Sequence, residues 1–180
     1  MIWNFEIEQM YLITNKQEYK FLRRAPRPFD FSSRTAKETR ELLARMKKAM
    51  HEAKGIGLSA NQIGIDAQVF IAEVPSTDGG QKFYAVFNPS IEKMGEAAET
   101  SEEGCLSIPG KFGEVPRAAS LILRGFDTRG KPLKIKAWGL LARVFQHETD
   151  HLNGKLFVDR ATKIYEVSKS NREYRESKGK

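Results

Sequence analysis

Gln146-His147-Glu148-Thr149-Asp150-His151 decides how this 180-residue chain is read. It carries the H-E-x-x-H pattern, two histidines at i and i+4 with a glutamate directly after the first. At about 100° per residue, an α-helix brings His147 and His151 within roughly 40° of one another, so both imidazoles reach one ion. Glu148 stands about 100° round from His147, near enough to touch a water bound at that ion. The flanks support the helix: Leu140, Leu141, Val144, Phe145 and Leu152 span an arc of roughly 140°, with His147, Glu148 and His151 in it or at its edge. Arg143, Gln146, Thr149, Asp150 and Asn153 occupy the other side. The three ionisable residues are therefore expected to face the interior, where an unpartnered polar group costs several kcal/mol. A metal with a bound water would satisfy them. The bare pattern also arises by chance in unrelated proteins, so a third ligand is needed; catalytic zinc and iron centres usually keep three protein ligands and one open position.

Bulk properties narrow the classes. The chain is long enough for one domain with a real core, and 40% hydrophobic with 29% charged residues is ordinary for a soluble globular protein. No apolar run approaches the ~18 residues that cross a bilayer. Asn4, Glu6 and Glu8 interrupt any secretory signal pattern, and the N-terminus is not rich in Arg and Ser as a transit peptide is, so a cytoplasmic protein is expected. The single cysteine, Cys105, excludes an intramolecular disulfide and leaves a buried bystander, a nucleophile or a thiolate ligand. A net charge of +7 permits contact with polyanions such as RNA, but the excess is spread along the chain, as on a solvated basic surface.

Residues 1–34 carry mixed signals: Met10–Ile13 reads as a short strand, and Pro26 and Pro28 mark an extended passage. Thr35 and Glu38 form a capping box ahead of Leu42, Leu43, Met46 and Met50 at helical spacing, with Gly55 as C-cap and His51 on the helix surface. Gly55–Gly64 reads as a loop; it lacks the lysine of a phosphate loop and the spacing of a dinucleotide fingerprint. Ala67–Val74 with Lys82–Phe87, and Ser120–Phe126 with Pro132–Trp138, read as two hairpins. Between them Glu102–Gly110 is constrained and non-helical. Residues 1–160 are expected to form a single domain. The tail 161–180 is expected to be charged, with a short helix around Ile164, Tyr165 and Val167 and a disordered end.

Three separated pieces resemble the signature motifs of the peptide deformylase family: Gly55-Ile56-Gly57-Leu58-Ser59-Ala60-Asn61-Gln62, Glu103-Gly104-Cys105-Leu106-Ser107, and Gln146-His147-Glu148-Thr149-Asp150-His151-Leu152-Asn153-Gly154. Their order and separations also agree, and the resemblance runs from about Thr35 to Arg160. It implies an α+β fold, with antiparallel β-sheets packed around the central metal-binding helix and a further helix in the N-terminal half. It implies removal of the N-formyl group from the initiator methionine of nascent polypeptides. By resemblance Cys105, His147 and His151 are the metal ligands, and Glu148 is general base and then acid. The Gln62 amide and the Leu106 N–H serve as oxyanion donors. Ile56, Leu140 and Val144 line the methionine pocket, with Gly57 and Leu106 presenting backbone to the peptide and Arg143 at the pocket edge.

The resemblance favours Fe2+ in cells, with Ni2+ or Co2+ as working substitutes; two imidazoles and a thiolate also suit Zn2+. Expected partners are the N-formylmethionyl peptide and, transiently, the ribosome, with no membrane and no stable nucleic-acid complex. Glu103 and Arg117 match a structural ion pair bracing the cysteine segment. Two positions depart from the common pattern: Ser59 replaces an alanine, with little effect expected, and Arg143 replaces an apolar residue. Two other classes compete. A zinc peptidase would use H-E-x-x-H alone, but no third His or Glu follows at the usual spacing, whereas Cys105 lies 42 residues upstream of His147. An RNA-associated protein would use only the basic charge.

Overall fold

The computed structural model describes residues 9–76 and 78–167. Among the described residues, three α-helices, α1 (Lys16–Leu22), α2 (Ala36–Glu52) and α3 (Gly139–His151), are distributed among eight strands. These are β1 (Gly57–Ser59), β2 (Val69–Pro75), β3 (Gln81–Met94), β4 (Ala98–Cys105), β5 (Ile108–Ala118), β6 (Ser120–Phe126), β7 (Pro132–Trp138) and β8 (Lys163–Glu166). They form a five-stranded sheet, ordered β1-β2-β3-β6-β7, and a three-stranded sheet, ordered β4-β5-β8. Every pairing is antiparallel, so the architecture is α+β, as expected. No helix among the described residues is long and apolar enough to cross a membrane.

Strand β2 explains why the larger sheet has a helix on each face. Its side chains alternate, and nearly all are apolar. Val69 and Ile71 join Leu42, Met46 and Met50 of α2 in one core cluster. Phe70, Ala72 and Val74 join Ala142, Val144 and Phe145 of α3 in another. Burying each such large side chain is worth about 1.5–3 kcal/mol, which is what pins both helices to one sheet. A third cluster, Ile108, Val115, Leu156 and Phe157, lies at β5 of the smaller sheet. Helix α3 also touches β5, so it runs between the two sheets.

That position corrects the expected solvent face of α3. Gln146, Thr149 and Asp150 are buried. The Gln146 amide is held by the backbone of Ala118, donating to its carbonyl at 2.9 Å and accepting from its N–H at 3.0 Å. Asp150 accepts from Arg117 and Arg160. Gln146 and Asp150 are tolerated there because each carries a partner, which periodicity alone does not reveal.

Elsewhere agreement is uneven. The Thr35–Glu38 capping box forms as expected. The helix ends one residue earlier than expected, however: Lys54 takes the left-handed conformation at φ 55° while its N–H and that of Gly55 close back on His51 and Met50. Most of the expected Gly55–Gly64 loop is β1 followed by a 3-10 turn over Ala60–Ile63. The two hairpins appear, with β3 running seven residues past its expected end. Glu102–Gly110 is the hairpin end of β4 and β5. Met10–Ile13 is not a strand, and α1 follows it, capped by Asn15. The expected short helix around Ile164 is strand β8, because Gly113 and Phe112 of β5 offer Ile164 and Tyr165 an open edge. The end of the tail, 168–180, lies outside the described residues.

Replacing Thr35 by Ala removes the oxygen that accepts from the Glu38 N–H. The expected loss is about 1 kcal/mol of unfolding free energy, read by urea denaturation, with no change in the transition's slope.

Candidate metal centre

Three segments converge beside α3. Helical spacing brings the His147 and His151 rings edge to face, with centroids 5.0 Å apart. Cys105 ends β4, where the register with β5 shifts between Gly104 and Cys105, and its Sγ lies 3.1 Å from His151 Nε2. One ligand atom from each of Cys105, His147 and His151 falls within 4.8 Å of the others. Bond lengths of about 2.0–2.3 Å let one ion bridge donors so spaced, and a thiolate with two imidazoles is a soft set suited to late divalent metals.

The Glu103 carboxylate orients this group. It accepts from His147 Nδ1 at 3.0 Å, from Arg117 Nε and Nη2 at 2.9 Å each, and from Arg143 Nη1 at 2.8 Å. An ionised carboxylate only accepts, so His147 carries its proton on Nδ1 and turns Nε2 towards the donors around Cys105. Burial pushes the Glu103 carboxyl up, but hydrogen bonds from His147 and then Arg117 outweigh it and bring the pKa to about 2. Arg117 extends the chain to Asp150 at 2.5 Å, and Arg160 closes it. The expected Glu103–Arg117 pair is thus present within a longer network.

Glu148 is 3% exposed, and burial raises its pKa against the opposing pull of His147 and of a hydrogen bond from Ser59. A carboxyl poised above its ordinary range is suited to both taking and returning a proton. Gln62 sits in the 3-10 turn after β1. Its Oε1 accepts from the Ser59 N–H at 2.9 Å, which turns Nε2 towards Ser107 Oγ (3.2 Å) and Cys105 Sγ (3.6 Å). A cleft of about 720 Å³ opens over these groups. Ile56, Gly57, Gln62, Cys105, Leu106, Leu140, Arg143, Val144, His147 and Glu148 all line it. His151 is buried and reaches the site through the nitrogen facing Cys105. Ile56 and Leu140 are 45% and 48% exposed at its apolar wall. The Arg143 head, expected at the pocket edge, bonds Glu103 and the carbonyls of Glu99 and Val115.

Several supporting residues escaped sequence reasoning. Tyr11 N–H donates to Gln62 O at 2.7 Å and Ile13 N–H to Ser107 O at 3.0 Å, tying the Gln62 turn and the cysteine turn together. These are backbone bonds, and no side-chain pattern announces them. Asn61 Nδ2 donates to His151 O at 2.8 Å; a buried amide inside a glycine-flanked motif was its only signal.

Because the folded pKa of Glu103 lies below its unfolded value of 4.5, its stabilisation is complete above that value and is lost as pH falls towards about 2. Glu103→Gln should cost about 3–5 kcal/mol at pH 7 by removing the buried charge that pairs with Arg117 and Arg143. It should also flatten the fall in stability between those two pH values, as measured by denaturant titration across the range.

Comparison with known proteins identifies relatives across most of the chain. The polypeptide deformylase family model matches residues 11–167. The chain is 45% identical over 130 residues to the peptide deformylase of Prochlorococcus marinus strain AS9601. That alignment takes in 72% of this chain and 65% of the relative, so the chain spans just under two thirds of that relative's length. Among solved structures, a probable peptide deformylase from Synechococcus phage S-SSM7 superposes with a TM-score of 0.76 at 37% identity, covering 84% of this chain and 98% of the other. The class I type b peptide deformylase of Acinetobacter baumannii, solved with Met-Ala-Ser bound, superposes at 0.78 with 28% identity, covering 86% and 98%. With the family model matched across nearly all of the described chain, this protein belongs to the polypeptide deformylase family.

Proposed function

We propose that the protein removes the N-formyl group from the initiator methionine of nascent polypeptides. The observation that carries this reading is the convergence of the Cys105, His147 and His151 donors with Glu148 and Gln62 in one cleft. Cys105, His147 and His151 hold a single divalent ion, which when bound supplies the Lewis acidity that makes water nucleophilic near neutral pH. Fe2+ is the proposed ion in cells, with Ni2+, Co2+ and Zn2+ fitting the same donors.

Glu148 takes a proton from the attacking water as the water oxygen bonds to the formyl carbon. Negative charge builds on the formyl oxygen, where the Gln62 amide and the Leu106 N–H donate; each such donor is worth roughly 3–4 kcal/mol in comparable sites. Glu148 then returns its proton to the amine as the C–N bond breaks, releasing formate and the free N-terminus. Ile56, Leu140, Val144 and the stem of Arg143 form the apolar wall for the methionine side chain. Gly57 lies on β1, which among the described residues pairs only with β2, so its backbone is available along its other edge to an extended peptide, with Leu106 lining the same cleft. The A. baumannii relative, solved with Met-Ala-Ser, supports a short methionine-led peptide as ligand. A cytoplasmic location and transient contact with the ribosome fit a net charge of +7 and a substrate that emerges there.

Loaded anaerobically with iron or nickel, the protein should release formate from formyl-Met-Ala-Ser; a fully metallated sample that releases none overturns the proposal. Glu148→Ala should keep its metal by elemental analysis while losing turnover by several orders of magnitude. Exposure to air should inactivate the iron form within an assay and spare the nickel form, because ferrous iron and its thiolate ligand oxidise.

A further inference from the structure

Ser59 stands where the family pattern commonly has alanine, and the sequence suggests little consequence. Its surroundings say otherwise. Ser59 is fully buried in β1, and its Oγ lies 2.7 Å from Glu148 Oε2 and 3.0 Å from the Glu148 carbonyl oxygen. Two residues earlier, on the same side of the strand, Gly57 faces the other carboxylate oxygen: a Cβ built there would collide with Glu148 Oε1 and come within 3.0 Å of Val144 Cγ1. The inward side of β1 is therefore a seat for one carboxylate, with room provided at Gly57 and a hydrogen bond at Ser59.

The same residue also reaches the oxyanion side of the site. The Ser59 N–H fixes Gln62 Oε1, and with it the direction of the Gln62 amide. One serine thus holds the proposed proton carrier by its side chain and the proposed oxyanion donor by its backbone. Those two duties are separable, since substitution at Ser59 removes the hydroxyl and leaves the N–H.

We propose that Ser59 is a positioning residue for Glu148: its hydroxyl holds the carboxylate in the single rotamer from which it can exchange a proton with the attacking water. Alanine at this place leaves Glu148 Oε2 without that tether while the Gln62 bond persists. Proton transfer depends on placement to well under 1 Å, and misplacement on that scale costs up to about 100-fold in rate. Ground-state binding of the peptide does not involve Ser59, so the loss falls on kcat.

This inference rests on the deformylase reading for its kinetic arm only. Two pairs of matched shape read the hydroxyl alone: serine against Ser59→Ala, and Ser59→Thr against Ser59→Val. With nickel-loaded protein and formyl-Met-Ala-Ser, Ser59→Ala should lower kcat by about tenfold with KM within about twofold and equal metal content. Ser59→Thr should turn over faster than Ser59→Val by a similar factor. Rates that follow side-chain size, or a loss confined to KM, overturn the proposal. The second readout needs no activity. Crystal structures of parent and Ser59→Ala protein should show one Glu148 rotamer in the first and a displaced or divided carboxylate in the second, with Gln62 unmoved in both. A Glu148 carboxylate that keeps its place in Ser59→Ala overturns the proposal even if the parent releases no formate, a result that would count separately against the deformylase reading.

Discussion

The buried carboxylate of Glu103 is the contact on which the site and much of the core depend. It belongs to β4, yet its hydrogen bonds come from α3 through His147 and Arg143 and from β5 through Arg117. Arg117 in turn bonds Asp150, back on α3. A charge this deeply buried is costly unless every oxygen is occupied, and here four donors share two oxygens. The network therefore does more than brace a loop. It fixes which imidazole nitrogen of His147 faces Cys105, and it locks the smaller sheet to the helix at the register the three donors require.

That arrangement explains the composition of α3. A helix enclosed by two sheets would ordinarily be apolar on all sides. This one buries Gln146, Glu148, Asp150 and His151, each engaged by another segment or by the site. Apolar contacts with Phe70, Val86 and Leu121 supply adhesion on one side, and ionic and amide contacts supply alignment on the other.

What was legible in the sequence follows from these physics. The His147/His151 spacing is a local property of a helix, so it could be read without knowing the fold. β6 and β7 were readable end to end because the polar turn Asp127–Gly130 separates them, with Asp127 accepting from the Arg129 and Lys131 N–H groups. β4 was not: its run of Ala, Glu, Thr, Ser and Gly is mostly exposed and carries no alternation, and it is a strand only because β5 pairs with it. β8 owes its conformation to the same partner. At Lys54 a left-handed residue without glycine defied the expectation that Gly55 caps the helix. Within the site, residue identities were readable from the motifs, whereas the clasp from Tyr11 and Ile13 and the bond from Ser59 to Glu148 join partners far apart in the chain and have no signature in either segment alone.

The small strand β8 has a practical consequence. Val167, just past its end, donates its N–H to Gly110 O at 2.9 Å and lines the cleft. With that bond, the end of the described chain becomes part of the mouth of the cleft. Met10, near the other end of the described chain, lines the same cleft, so a change at either margin reshapes the entrance that a peptide would meet.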